Sequence, residues 1–407
     1  MDEPQDDALR SLSRSAAYVP KEQLQAISED EKRMYIGIPR EASFQENRVA
    51  LTPDAVRVLT SNGHEVVMET KAGEGANFSD TEFSEAGARI TYTVEDVYKA
   101  TLILKVAPPS QEEIAMMDRG QYLVSALQLS TLNREYLEKL MEKKITAIAW
   151  DYYKDEDGIY PLVRAMGEIA GTTSILVAAE LLGNHKEGRK SMLGGISGVT
   201  PTEVVIIGAG AVGEYATRAA LGLGASVMVF DSSTYKLSRL QNDIGVRLKT
   251  CTIQPQVLSN ALAQADVAIG AVRARSGRTP CIVTEMMVEN MKAGAVIVDV
   301  SIDQGGCFET SEVTNHKSPT ITKYDVIHYG VPNIASRVSK TASRALSNIF
   351  VPILLNFGEH GNFENVLRAY SGVRNGTYLY NGTLTNKVLA DSFNLKSKDL
   401  DLLMAAF

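Results

Sequence analysis

A glycine-rich loop between two apolar strands constrains the fold of this chain more than any other feature. It lies in the segment VVIIGAGAVGEYATRAALGLGASVMVFD, residues 204–231. Gly208 permits a tight turn, Gly210 lets the backbone approach a pyrophosphate, and Gly213 allows a helix to pack closely on the strand. The spacing therefore predicts a strand, a loop, a helix and a second strand that together bind a dinucleotide.

The residues around this loop favour NAD(H) over NADP(H). The N-terminus of the predicted helix, at Val212, offers N–H groups and the positive end of its dipole to phosphates. Asp231 ends the second strand, where a carboxylate binds the adenosine ribose and repels a 2′-phosphate. The SST that follows it supplies no arginine for such a phosphate. Lys236, in the next helix, is either a further cofactor contact or a solvated charge.

Ligands of open α/β sheets bind beyond the carboxyl ends of the strands. That rule selects Val272, Asp303, Val331 and Asn333, each of which follows a strand in the second half of the chain. Asp303 is the carboxylate directly at its strand end, because Asp299 lies within the strand. We therefore expect the other three residues to contact the cofactor and Asp303 to lie in the reactive cleft.

Strand and helix patterns alternate twice along the chain, once before and once after residue 200. The apolar strands are typical of parallel sheets covered by helices on both faces. We predict an α/β fold of two doubly wound domains, with a Rossmann NAD-binding domain (166–339) inserted into a discontinuous flavodoxin-like substrate domain (34–165 plus 340–407). Residues 1–33 form an N-terminal arm in this scheme.

Composition argues against several other classes of protein. The net charge of the 407-residue chain is −8, whereas a nucleic-acid-binding protein needs a basic surface. The 3 cysteines lack C-x-x-C spacing, which argues against structural zinc and for reduced thiols. The sequence has no apolar run of about 18 residues and no secretory signal. We therefore expect a cytoplasmic protein without a bound metal, a nucleic-acid partner or a membrane span.

Five motifs spread along the chain resemble those of a known family. In order they are IGIPREASFQENRVALTP, GEGANFSD, EIAGTTS, GAGAVG and VDVSIDQGG. The set is similar to the alanine dehydrogenase and transhydrogenase α-subunit family. The resemblance implies NAD-dependent oxidative deamination of L-alanine, or a related small amino acid, to a keto acid (pyruvate, from alanine) and ammonia, by a homo-oligomer (a dimer or a hexamer).

The same resemblance implies four polar groups in the substrate cleft. They are an arginine that binds the substrate carboxylate, a lysine, a histidine that acts as acid and base, and an aspartate near the nicotinamide. Arg48 and Asp303 match the arginine and the aspartate. The family's K-V-K pattern reads LKVAP here, so Lys105 matches the first lysine and Ala107 the functional second one. Gln128, in LVSALQLS, occupies the histidine position.

These two departures change the chemistry of the cleft. Glutamine can orient a carbonyl or a water but cannot transfer a proton near neutral pH as histidine does. Side chains two residues apart on a strand share a face, so Lys105 either extends past Ala107 into the cleft or forms an ion pair within its own domain. Of the histidines, His328 lies near a cofactor-side strand end, where we expect a structural hydrogen bond.

Three functions fit this sequence. The main hypothesis is an alanine-dehydrogenase-like enzyme in which Arg48 holds the carboxylate and Asp303 polarises the amine or hydroxyl. Gln128 would then position the substrate carbonyl, and Lys105 would act as the cleft lysine. A transhydrogenase-like NAD(H)-binding subunit is favoured by the two replaced positions, but the family's R-x-x-R-A-Q-x-x-D loop is absent. The third hypothesis is an NAD(H)-binding protein without catalysis.

Overall fold

The computed structural model of the chain describes residues 33–128, 132–274, 278–360 and 363–405. The predicted N-terminal arm (1–33) lies outside these ranges except for its last residue. The strands are β1 (Tyr35–Ile38), β2 (Glu65–Glu69), β3 (Arg89–Thr91), β4 (Leu102–Leu104), β5 (Tyr122–Ser125), β6 (Thr146–Ala149), β7 (Glu203–Ile207), β8 (Ser226–Phe230), β9 (Lys249–Cys251), β10 (Val267–Gly270), β11 (Val296–Asp299), β12 (Thr320–Lys323), β13 (Val326–Tyr329), β14 (Thr377–Tyr380) and β15 (Thr383–Leu384).

The helices are α1 (Pro53–Ser61), α2 (Asp80–Glu85), α3 (Val94–Val97), α4 (Gln111–Met116), α5 (Arg134–Glu142), α6 (Pro161–Asn184), α7 (Ala211–Gly222), α8 (Thr234–Ile244), α9 (Pro255–Gln264), α10 (Glu285–Glu289), α11 (Ser339–Glu359), α12 (Phe363–Ala369), α13 (Ser371–Gly376), α14 (Lys387–Phe393) and α15 (Leu400–Ala405). Short 3-10 turns lie at Trp150–Tyr152, Val300–Gln304 and Ile334–Val338, among others.

The described strands form two sheets. The first has eight strands in the order β15-β14-β6-β5-β4-β1-β2-β3, and the second has seven in the order β12-β13-β11-β10-β7-β8-β9. All pairs are parallel except those of β14 with its two neighbours and that of β12 with β13. This arrangement confirms the predicted α/β fold of two doubly wound, mainly parallel sheets. The exact domain boundaries stay a prediction. The two sheets show which strands belong together, but they do not give the residue at which one domain ends and the next begins.

Two long helices carry the chain between the sheets. Helix α6 packs on α7 and on β10 and β11 of the second sheet, while α11 packs on α1 beside the first sheet and also contacts α6. By length and composition α6 could cross a membrane, but 44% of its apolar window is buried within the protein. A helix in the core of a protein can be as long and as apolar as a membrane-spanning helix, so these two properties do not distinguish them.

Both sheets have a point where the strand order reverses, and these points position the candidate site. In the first sheet the reversal lies between β1 and β4, and in the second it lies between β7 and β10. Ligands of doubly wound sheets bind in the crevice beyond the carboxyl ends of the strands at such points. Functional side chains are therefore expected in the segments that follow β1, β4, β7 and β10.

Gly171 and Gly183 lie on the same helix, α6, and together test how closely it packs on α7. A Cβ at Gly171 would lie 2.3 Å from the carbonyl oxygen of Val212, whereas a Cβ at Gly183 would lie 3.7 Å from its nearest neighbour. Gly171→Ala should therefore lower the free energy of unfolding by about 1–3 kcal/mol, the usual cost of overpacking. Gly183→Ala should leave it unchanged or raise it slightly. Urea denaturation measures both, and equal stabilities would contradict this close contact.

Candidate active site

The glycine loop after β7 has the close contacts and the open space that a bound phosphate requires. Gly208 has φ +115, and a Cβ there would lie 2.3 Å from the carbonyl oxygen of Ala271. A Cβ at Gly213 would lie 1.8 Å from the carbonyl oxygen of Gly208, so the start of α7 packs directly on the loop. At Gly210 no atom lies within 4 Å of that position. Backbone N–H groups at the start of α7, where Val212 lies, are thus open to a ligand.

Asp231 connects the end of β8 to the glycine loop. Its carboxylate accepts one hydrogen bond from the Ala209 N–H and one from the Ser233 N–H, both at 2.8 Å. A carboxylate has about four acceptor positions, so two remain for a ribose. The half-exposed ammonium of Lys236 lies 3.8 Å from Asp231 Oδ2. Arg239, which the sequence reading did not select, donates to the Ala209 carbonyl at 3.3 Å.

The other predicted cofactor residues lie at the ends of β10 and β13. The Val272 N–H donates to Ser301 Oγ at 3.0 Å. Val331 is 2% exposed and packs in the core of the second sheet, so its backbone and not its side chain could contact a ligand. Asn333 has φ 56, a left-handed conformation that asparagine tolerates.

Asn333 joins the two halves of the molecule at the cleft. Its N–H donates to Asp303 Oδ1 at 2.7 Å, and its side-chain amide donates to Glu46 Oε2 at 2.9 Å. β11 ends at Asp299, so the expectation that Asp303 stands directly at the strand end is corrected: Asp303 lies four residues later, in the turn Val300–Gln304, with an exposed side chain. The surrounding protein atoms raise the pKa of Asp303 above its usual value by desolvation, although the Asn333 N–H and the charge of Arg48 oppose this. Asp303 is thus closer to the protonated state than an ordinary surface aspartate.

Arg48 is buried beside this group and is already paired. Its Nε lies 2.7 Å from Glu46 Oε1 and its Nη2 lies 2.5 Å from Glu46 Oε2, a two-point pair that uses one edge of the guanidinium. Its Nη1 contacts the sulfur of Met166 at 3.3 Å. Burial alone raises the pKa of Glu46, but the charge of Arg48 lowers it overall, so the pair is ionised.

Lys105 lies directly after β4 and is completely buried. Its ammonium is 2.7 Å from Glu113 Oε1 and 3.3 Å from Glu41 Oε2, and the hydroxyl of Tyr98 donates to Glu113 at 2.9 Å. Burial alone lowers the pKa of Lys105, but Glu41 and Glu113 raise it above the usual value. The expectation that Lys105 extends past Ala107 as the cleft lysine is therefore corrected. The carboxylates of Glu41 and Glu113 hold the ammonium of Lys105 within the first domain.

Gln128 ends the segment that follows β5, and its neighbours 129–131 lie outside the described residues. It has φ 44, and its backbone N–H donates to the Asp151 carboxylate. The Leu127 N–H donates to Asp151 Oδ1 at 2.9 Å. Desolvation raises the pKa of Asp151. Asp151 was missed by the sequence reading, although its place two residues after β6 could have selected it by the strand-end rule.

Comparison with known proteins assigns the chain to a family. The model of the alanine dehydrogenase/PNT N-terminal domain matches residues 37–170, and that of the C-terminal domain matches residues 174–387. The alanine dehydrogenase of Mycolicibacterium smegmatis is 39% identical over 91% of this chain and 97% of its own length. The chain belongs to the alanine dehydrogenase/PNT family. The alanine dehydrogenase of Halomonas elongata is likewise 39% identical, over 89% of this chain and 98% of its own length.

Two solved structures have the same fold. An L-alanine dehydrogenase superposes with a TM-score of 0.82 at 36% identity, covering 89% of this chain and 99% of that one. A transhydrogenase from Sinorhizobium meliloti superposes with a TM-score of 0.74 at 24% identity, covering 87% and 99%, a likeness of fold alone. The resemblance drawn from the five motifs is confirmed. This member of the alanine dehydrogenase/PNT family is an enzyme, and its relatives are oxidoreductases.

The buried ion cluster of this family member can be tested by removing its cation. Lys105→Met keeps the apolar volume but leaves Glu41 and Glu113 without their positive partner, so the free energy of unfolding should fall by about 3–5 kcal/mol. Lys99→Met, which removes an exposed pair with Asp96, should change it little. Chemical denaturation measures both. Adding Glu113→Gln to Lys105→Met should recover part of the loss, and a loss no larger than that of Lys99→Met would contradict the cluster.

His328 is held by hydrogen bonds inside the second sheet. Its Nε2 lies 2.8 Å from Thr310 Oγ1 and its Nδ1 lies 2.9 Å from the Val326 carbonyl oxygen. Desolvation lowers the pKa of His328 to about 4. The ring is neutral and buried, which suits a structural role better than that of a substitute base.

The lowered pKa of His328 predicts a specific dependence of stability on pH. The unfolded chain protonates this histidine near pH 6.5 and the folded protein only near pH 4. Because the unfolded state binds more protons in that window, stability falls as the pH drops from about 6.5 to 4, by on the order of 3 kcal/mol. Thermal unfolding across this range should show a shallower slope in His328→Gln. His185→Gln, at the end of α6, should keep the wild-type slope, and an unchanged slope in His328→Gln would refute this account.

Proposed function

We propose that this chain is an NAD-dependent oxidoreductase that interconverts L-alanine, or a related small amino acid, with the corresponding keto acid and ammonia. The observation that carries the proposal is the hydrogen-bonded chain Asp303–Asn333–Glu46–Arg48. This chain links the carboxylate of Asp303, whose pKa is raised, to the buried guanidinium of Arg48. Asp303 follows β11 at the same edge of the second sheet at which the glycine loop follows β7. Family membership and 39% identity to alanine dehydrogenases support the same reaction.

The residues around the glycine loop fit a dinucleotide. The open backbone at Gly210 suits a pyrophosphate, and the two remaining acceptor positions of Asp231 suit the adenosine ribose. The negative charge of Asp231 favours NAD(H), whereas Lys236 and Arg239 supply nearby positive charge. When bound, the nicotinamide accepts hydride from the amino acid or gives it to the imino acid. The ends of β10 and β13, with Val272, would line that half of the cofactor.

The cleft residues would bind the substrate and move one proton. Arg48 would orient the substrate carboxylate through the guanidinium edge that Glu46 leaves available. Asp303 would take a proton from the attacking water or return it to the departing hydroxyl, a transfer helped by its raised pKa. Gln128 would position the carbonyl by hydrogen bonding. Lys105 would act only indirectly, because its partner Glu41 accepts a hydrogen bond from the Val106 N–H at 2.6 Å and so shapes the strand end.

An oligomer of identical chains is part of the proposal. The hairpin before β7 exposes three apolar side chains, Met192, Ile196 and Val199, to 61%, 59% and 60%, and Leu223 beside it is 42% exposed. Gly194 packs against the Leu223 carbonyl, so these side chains belong to one surface. Exposed apolar patches of this kind commonly mark protein contacts.

The reaction is tested by adding NADH to the purified full-length chain with pyruvate and ammonium. We expect oxidation of NADH that requires both substrates and that is faster with NADH than with NADPH. Comparing the rates with other small keto acids in place of pyruvate would identify which substrate side chain the enzyme prefers. Asp303→Asn should lower kcat by about 10²–10⁴-fold while NADH still binds, since the acid/base group is lost.

Asp54→Asn provides the matched control, because this aspartate lies exposed on α1, outside the cleft. It should retain wild-type kcat. If a preparation that binds NADH fails to oxidise it with any of the keto acids, the proposal is contradicted and a cofactor-binding protein without this activity is favoured. Transfer of hydride to a second nucleotide would instead favour the transhydrogenase-like alternative, to which Ala107 and Gln128 point.

A further inference from the structure

The two buried positive charges beside the cleft, Arg48 and Lys105, are already paired with glutamates. Arg48 forms a two-point pair with Glu46, and Lys105 is enclosed by Glu41 and Glu113. A small amino or keto acid brings one carboxylate into this cleft, and a desolvated carboxylate needs a cation that is not already paired. Ala107, at the position of the family's second lysine, cannot supply one. The proposed substrate therefore requires a positive charge from elsewhere.

Arg273 follows β10 and lies at the point where the strand order of the second sheet reverses. The residues on each side of it are fixed to the turn that carries Asp303. The Val272 N–H donates to Ser301 Oγ at 3.0 Å, and the Ala274 N–H donates to Gln304 Oε1 at 3.0 Å. The same loop touches the glycine loop, since a Cβ at Gly208 would meet the Ala271 carbonyl. The backbone of Arg273 is thus held between the cofactor loop and Asp303.

The side chain of Arg273 is exposed, and its charge acts on carboxylates of both halves of the molecule. Its charge acts on Asp303 from the second sheet and on Asp151 after β6 of the first, lowering the pKa of each against the larger effect of desolvation. It acts in the same way on Tyr152. Asp151 in turn holds the backbone of Leu127 and Gln128. The charge of Arg273 therefore acts on the same carboxylate that holds the segment where the family's histidine would stand.

We propose that Arg273 is a second carboxylate-binding residue, which supplies the positive charge that Ala107 cannot and grips the substrate from the cofactor side of the cleft. This inference rests on the proposed function, because it assumes a small keto or amino acid substrate. Arg48 keeps its pair with Glu46, and Arg273 adds a second guanidinium for the substrate carboxylate. Arginine suits this task because its planar fork can donate two parallel hydrogen bonds to one carboxylate.

The inference is tested by binding, which needs no turnover. The full-length chain is saturated with NADH, and pyruvate or the non-reactive analogue oxamate is titrated while NADH fluorescence is followed. Arg273→Ala should weaken binding of both acids by about 10–100-fold and leave the Kd for NADH within about twofold of wild type. Arg273→Lys, which keeps the charge but loses the fork, should recover part of the affinity. In a turnover assay the loss should appear mainly in KM for pyruvate.

Arg134→Ala is the matched control, since this arginine lies on the exposed face of α5 and pairs with Glu138. It should bind pyruvate and oxamate as wild type does. Unchanged binding of both acids in Arg273→Ala would overturn the inference, as would an equal loss of NADH affinity or the absence of saturable binding to the wild-type NADH complex. If both acids bind through Arg273 but no keto acid is reduced, the proposed reaction fails and the carboxylate site stands.

Discussion

The hydrogen bonds of Asn333 are the interaction on which the candidate site depends. One residue in a left-handed turn donates its N–H to Asp303, from the second sheet, and its side-chain amide to Glu46, from the first. Glu46 in turn fixes Arg48 by two contacts. Because these groups lie at the facing strand ends of both sheets, their bonds set the distance between the carboxylate and the guanidinium. A change in the Asn333 turn would therefore alter both sides of the cleft together.

Burial decides the role of each charge around this cleft. A charged group removed from water needs an oppositely charged or hydrogen-bonding partner, and the first sheet meets that need with glutamates beside Arg48 and Lys105. Lys105 thereby becomes part of the framework, although its sequence position alone resembles that of a cleft lysine. Arg273 remains exposed, so its charge is available to a ligand while it acts on Asp303 and Asp151.

The parts of the site that follow from local spacing were predictable. The three glycines and Asp231 lie within one strand–helix–strand unit, whose geometry depends on residues close together in the sequence. The strand-end rule also selected Asp303 and Asn333, since each directly follows an apolar run. The same rule also covers Asp151, after β6, and Arg273, after β10, but it gives no reason to prefer either over other strand-end residues. Their significance depends on two sheets facing each other, which no short segment records.

The sequence by itself determined the two doubly wound sheets, the glycine loop and the family, because periodicity and motif spacing depend only on residues that are close together in the sequence. The tertiary structure alone decided which charges are free. Glu41, Lys105 and Glu113 meet from the loop after β1, the end of β4 and helix α4. The charge of Arg273, after β10, acts on Asp151 after β6 and on Asp303 after β11. Pairing energies depend on distances of a few ångströms and on exclusion of water, and both are set only when the strand ends come together.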